Sequence, residues 1–193
     1  MKLKHIIVIL VILMVVFVAG NIIIQSKNQV DVGGSQEATS QEDQLNLGMF
    51  SAQTLDGDTI THEFFAKEKL TLINVWATFC GPCKMEMPGL GELDRDVDDF
   101  QVMGVVMDVL DQEGKIVPEQ VEAAKELKMA TDVEYPSAIL NESLANIGLA
   151  AITSYPTSIF VDEKGNMIGD PVVGARDEDD WREIIEERMA EVK

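Results

Sequence analysis

Cys80 and Cys83 stand two residues apart, and they are the only cysteines in a chain of 193 residues. Two thiols at that spacing can close a disulfide with each other and trade electron pairs with a second disulfide. The count rules out a four-cysteine zinc site and a multi-bridge framework. Thiolate is the attacking species in exchange, so the element bearing the first sulfur has to favour negative charge there. Glu86 follows Cys83 by three residues, which on a helix places both side chains on one surface. A carboxyl half-buried beside Met85 and Met87 has its pKa raised toward neutrality, which suits Glu86 to exchange a proton with Cys83.

The elements that hold these groups are legible around them. Leu70–Trp76 (LTLINVW) is a nearly continuous apolar run with β-branched residues, as a strand covered on both faces requires. It delivers Cys80 to the start of a helix over residues 82–97. There, unpaired amides and the positive end of the dipole favour a thiolate. Gly81-Pro82 closes a tight turn, and Pro82 needs no amide donor at a helix start. Cys83 lies one turn deeper, placed to attack a mixed disulfide at Cys80.

Further along the chain, residues 49–55 and 59–61 read as a hairpin joined by the two-residue turn Asp56-Gly57, followed by one short helical turn over 62–66. Residues 101–107 (QVMGVVM) form a second buried strand. Pro118 opens a helix to Ala130, and Asn141 caps another through Leu149. Residues 157–161 and 167–173 pair antiparallel about a turn at 163–166, and Asp177 caps a last helix over 178–191. Strands alternating with helices and ending in a hairpin predict an α/β fold with a mixed central sheet flanked by helices. Residues 45–193 are enough for one domain that buries about 70% of its unfolded surface.

The N-terminus has a different composition. Residues 6–24 are apolar apart from Gly20 and Asn21, and at helical rise they span about 28 Å, close to a bilayer's hydrocarbon core. Lys2, Lys4 and His5 keep that end cytoplasmic and send the remainder across the membrane. A retained signal-anchor is the primary reading, and a signal peptide cleaved near Val18-Ala19-Gly20 is the rival. Residues 25–44 are polar and rich in Gln and Ser, a flexible linker. With 34 acidic against 15 basic side chains the formal charge is −19, which disfavours nucleic acid as a partner.

The run WATFCGPCKMEMP, with Tyr155-Pro156-Thr157 ahead of an apolar strand far downstream, resembles the thioredoxin superfamily. More narrowly it is similar to the membrane-anchored ResA/TlpA branch, over residues 46–192. The resemblance implies a thioredoxin-like fold with an N-terminal β-hairpin and a strand-helix insertion at residues 108–134. It makes Cys80 the exposed nucleophile, Cys83 the resolving thiol, and Trp76 the aromatic beside the pair. Pro88 is the proline that kinks the active-site helix, and Pro156 is the residue whose preceding peptide bond is cis and lies against the cysteines. Tyr135-Pro136-Ser137 is set aside for that position because no apolar strand is expected after it. Asn74 stands where thioredoxin has a buried aspartate. Asn does not titrate, so the acid/base task is assigned to Glu86, which matches the glutamate of this branch. Phe79, Gly81, Pro82, Tyr155 and Thr157 complete the support and substrate-binding surface, Phe79 replacing a second Trp.

Plainer readings apply elsewhere. His62 is expected to be a surface or capping residue, and Met85, Met87, Met103 and Met107 to be buried gap fillers rather than metal ligands. The acidic clusters at 94–99 and 177–180 read as solvated faces. The resemblance implies an extracytoplasmic disulfide reductase that acts on disulfide-containing proteins, apocytochrome c among them, and draws electrons from a membrane carrier of the CcdA type. No cofactor or metal is expected. A thiol oxidase of the same fold and a copper-binding chaperone module are the alternatives.

Overall fold

The computed structural model describes residues 46–192. The expected membrane span at 6–24, with His5, and the linker at 25–44 lie outside the described residues. Among the described residues no helix is long and apolar enough to cross a membrane.

Strands β1 (Ser51–Gln53) and β2 (Thr59–Thr61) form the antiparallel hairpin. Its connection is longer than the two residues expected. The Thr54 amide donates to the Asp58 carbonyl at 2.8 Å, leaving Leu55, Asp56 and Gly57 between them, with Gly57 at φ +93°. This is the three-residue type, in which glycine supplies the left-handed position. Leu55 is buried, so the first loop residue anchors the hairpin to the core. A 3-10 turn at His62–Lys67 follows and places His62, half-buried, at its first position.

The central sheet has five strands: β3 (Leu70–Trp76), β4 (Phe100–Val106), β5 (Ser137–Ile139), β6 (Thr157–Asp162) and β7 (Val172–Val173). They lie in the order β5-β4-β3-β6-β7, with β3, β4 and β5 parallel and β6 and β7 antiparallel to their neighbours. β3 and β4 are buried at all seven positions, as their unbroken apolar character requires. Among the described residues four helices flank the sheet: α1 (Gly81–Asp96), α2 (Pro118–Ala130), α3 (Glu142–Asn146) and α4 (Glu178–Glu191). Met87, Leu90 and Leu93 of α1, Ala124 of α2, and Trp181 and Ile185 of α4 pack in one core with Leu70, Leu72 and Trp76 from the same face of β3. Ile73 and Val75 point to the other face and pack with Phe50, Ile60, Phe65 and Leu144. The sheet is therefore the middle layer of three.

Several expectations are corrected. A buried strand, β5, does follow Pro136; three residues are too few to show periodicity, and β5 is recognisable only through its pairing with β4. The helix capped by Asn141 ends at Asn146, because Gly148 sits at φ +93° and the chain restarts as a 3-10 turn at Leu149–Ala151. The last strand shrinks to Val172–Val173, with Met167 making only an isolated bridge to Val161. Gly169, at φ +66°, and Pro171 interrupt the ladder between them. Met85 is 73% exposed rather than buried. Asp94 is not simply solvated: it accepts the Val102 amide at 2.6 Å and ties α1 to β4, and partial burial pushes its carboxyl up.

Candidate active site

β3 ends at Trp76, and the chain turns through 77–80 into α1. Cys80 is the N-cap of that helix, and its Sγ accepts the Cys83 amide at 3.1 Å. One orphan donor of the first turn is thereby aimed at the sulfur, where it stabilises a thiolate. Pro82 sits where no amide is required. The two cysteines are joined in a disulfide, with Cα atoms 5.3 Å apart. Cys80 retains 6% of its surface and Cys83 none, so an incoming sulfur reaches Cys80 first.

Beneath the pair the site is closed. Trp76 is fully buried in the same core as both cysteines. Pro88 continues α1 without an amide for the Lys84 carbonyl. Above the pair it is open and apolar: Gly81 and Pro82 are exposed, and Phe79 is 71% exposed. The Phe79 ring meets Tyr155 edge-on, with centroids 6.2 Å apart, and so joins the cysteine turn to the segment before β6. The Tyr155-Pro156 bond is cis, while Tyr135-Pro136 is not among the cis bonds of the described residues. Thr157 is buried and its hydroxyl donates to the Ser154 carbonyl at 2.8 Å, bracing that segment from within.

Glu86 is 2% exposed, more deeply sealed than the half-burial expected, and Met85 contributes nothing to the enclosure. Asn74 Nδ2 donates to Glu86 Oε1 at 2.8 Å and the Arg176 amide donates to Oε2 at 3.3 Å. Burial pushes the carboxyl up to about 7, against the opposing pull of those two bonds and of the nearby Trp181 and Arg176 side chains. A carboxyl poised there can take and return a proton at neutral pH.

Sequence reasoning passed over two residues here. Arg176 reaches Glu86 through its backbone, while its guanidinium holds the Gly174 and Ala175 carbonyls at 3.0 Å. Nothing in a lone arginine before a helix cap signals this. Asp108 accepts the amide and the hydroxyl of Thr78 in the cysteine turn. Its signal was present, because an acid directly after the second of two parallel strands sits at the carboxyl end of the sheet, where sites are built. Among the described residues no three His, Cys, Asp or Glu side chains gather as a metal site.

Comparison with known proteins agrees with the geometry. The model of the AhpC/TSA family matches residues 46–169. The thioredoxin-like protein YneN of Bacillus subtilis (strain 168) is 31% identical over 142 residues, covering 72% of each chain. The thiol-disulfide oxidoreductase ResA of Bacillus cereus (strain ATCC 10987 / NRS 248) is 29% identical over 133 residues, covering 67% of this chain and 71% of that one. In fold, the thiol:disulfide interchange protein of Chlorobium tepidum TLS superposes with a TM-score of 0.61 at 24% identity, over 75% of this chain and 95% of that one. By matched length and by this fold, the chain belongs to the AhpC/TSA family, as a thioredoxin-like thiol-disulfide oxidoreductase.

Proposed function

We propose that this thiol-disulfide oxidoreductase of the ResA type works as a disulfide reductase outside the cytoplasm, carried on an N-terminal membrane span. The observation that carries the proposal is the asymmetry of the pair: Cys80 caps α1 and keeps 6% of its surface, while Cys83 is sealed one turn below. In the reduced form the Cys80 thiolate attacks one sulfur of a client disulfide, the client bond breaks, and the other client sulfur leaves as a thiolate. Cys83 then gives its proton to the Glu86 carboxylate and attacks Cys80 Sγ. The mixed disulfide breaks, the second client sulfur departs and takes up a proton, and the pair is left oxidised, as it is here. Two electrons have passed from enzyme to client.

The Gly81-Pro82 pair between the cysteines supports the reducing direction, because thioredoxin carries the same pair and has a potential of about −270 mV. Phe79 and half-buried Tyr155 form the surface against which a client lies, and buried Pro156 and Thr157 support it from beneath. Electrons are supplied by a membrane carrier of the CcdA type, and apocytochrome c is among the clients. The experiment is capture with Cys83→Ser, which stalls the mixed disulfide at Cys80. Clients bound through that sulfur and released by dithiothreitol are expected; recovery of nothing beyond a Cys80→Ser/Cys83→Ser control contradicts the reading.

A further inference from the structure

The turn that presents Cys80 is closed by the Cys80 amide, which donates to the Ala77 carbonyl at 3.0 Å. In a four-residue turn the amide of the second residue points outward and has no partner inside it. That amide belongs to Thr78. It donates to both carboxylate oxygens of Asp108 at 3.0 Å, and the Thr78 hydroxyl donates to Oδ2 at 2.6 Å. Sheet register brings the two together. Trp76 lies opposite Val106 in the parallel β3/β4 pair, and the Met107 amide extends the ladder to the Trp76 carbonyl. Two residues beyond each strand end, Thr78 therefore meets Asp108.

The turn's other contacts are apolar, Ala77 in the core and the Phe79 ring edge-on to Tyr155, and neither fixes the direction of its amides. Among the described residues no other side chain hydrogen-bonds to Ala77, Thr78 or Phe79, and Phe79 stands 71% exposed. Hydrogen bonds to a carboxylate are about twice as strong as neutral ones, so an amide shared between both oxygens and a hydroxyl on the same residue fix it firmly. Disulfide exchange needs the attacking sulfur in line with the bond it breaks, and a misplacement of about 1 Å costs on the order of a hundredfold in rate.

We propose that Asp108 is a positioning residue for the nucleophile: its carboxylate clamps Thr78 and so fixes the turn that holds Cys80 at the cap of α1. The clamp rests on the reading of Cys80 as the attacking sulfur. Asp108 also begins the loop that leads to α2, with the Val117 amide returning to the Val109 carbonyl at 2.9 Å. The insertion is thus fastened to the active-site turn through one side chain.

The test is single-turnover reduction of oxidised glutathione by the pre-reduced full chain in detergent, with the limiting rate (kcat) and the half-saturating concentration (KM) read separately. Asp108→Ala is expected to lower kcat about tenfold and leave KM unchanged, because the small disulfide needs an aligned sulfur and no docking surface. Asp108→Asn can offer its oxygen to the Thr78 amide and its NH2 to the hydroxyl, and restores kcat to within about threefold of wild type. Thr78→Val loses the hydroxyl bond, keeps the amide bond and falls between; it carries the test if Asp108→Ala does not fold. Wild-type kcat in Asp108→Ala, or a loss that Asp108→Asn does not repair, overturns the clamp. A wild-type chain that reduces no glutathione instead overturns the thiol-disulfide reading itself.

Discussion

Asn74 donates to Glu86 across 2.8 Å in a place where neither side chain meets solvent. A neutral amide satisfies one carboxylate oxygen without neutralising its charge, so desolvation stays the larger effect and the carboxyl titrates near 7. The pair thus sets a buried acid at the pH where a thiol proton has to be moved.

Glu86 makes stability depend on pH with a definite sign. Its pKa is raised in the folded state, from an ordinary 4.5 to about 7. Below about pH 4.5 folded and unfolded chains both hold the proton; between there and about 7 the unfolded chain has released it and the folded one has not. Stability falls across that window by on the order of 3 kcal/mol and is flat above it. Glu86→Gln should flatten the curve, so that its stability relative to wild type rises by a similar amount from pH 4.5 to pH 8 in urea unfolding. Parallel curves contradict the buried acid. The same variant should slow resolution of a mixed disulfide by at least about tenfold at pH 7.

Asn74→Asp places a second carboxyl against the first. Two like charges at hydrogen-bond distance cannot both ionise readily, so the pair should titrate in two steps, with the second above about pH 8. Carboxyl-carbon NMR on labelled protein reads this directly. Two independent titrations near 4 would mean the site is wetter than its burial indicates.

Gly104 lies opposite Ser137 in β5, and a Cβ built on it clashes with Ser137 Oγ and comes within 3.0 Å of Trp76 Nε1. Gly104→Ala should therefore destabilise by about 1 to 3 kcal/mol. Ser137→Ala removes a hydroxyl that has no hydrogen-bond partner and should recover at least half of that loss in the double variant. Additive losses would place the strain elsewhere.

Phe79 projects from the turn with most of its surface free. Phe79→Ala should leave stability within about 0.5 kcal/mol of wild type. With a protein disulfide it should raise KM several-fold, and with oxidised glutathione it should change nothing. Equal effects on both substrates would assign the ring to the chemistry rather than to docking.

What could be read from sequence divides along physical lines. β3 and β4 stand out as apolar runs because burial on both faces forces that composition, and the cysteine pair with Pro82 marks the start of α1 by local rules alone. β5 is three residues whose identity as a strand comes from its partner, so it was missed along with the reason first given against Pro136. The burial of Met85 was misjudged because its neighbours Glu86 and Met87 turn inward while it faces out from the first turns of α1. Glu86 could be located on its helix face, but its depth depends on Asn74 and on the Arg176 backbone 90 residues away. Asp108 is legible as an acid at the carboxyl end of a strand, but its partner Thr78 follows only from the register that sets the two strand ends side by side.

The reducing role stands or falls on the midpoint potential of the Cys80–Cys83 couple, measured by equilibrating the full chain against dithiothreitol or glutathione buffers and quantifying free thiols. The account requires a value near that of thioredoxin, at or below about −230 mV. A value well above about −180 mV would make the same fold and the same cysteines an oxidant, and would contradict it.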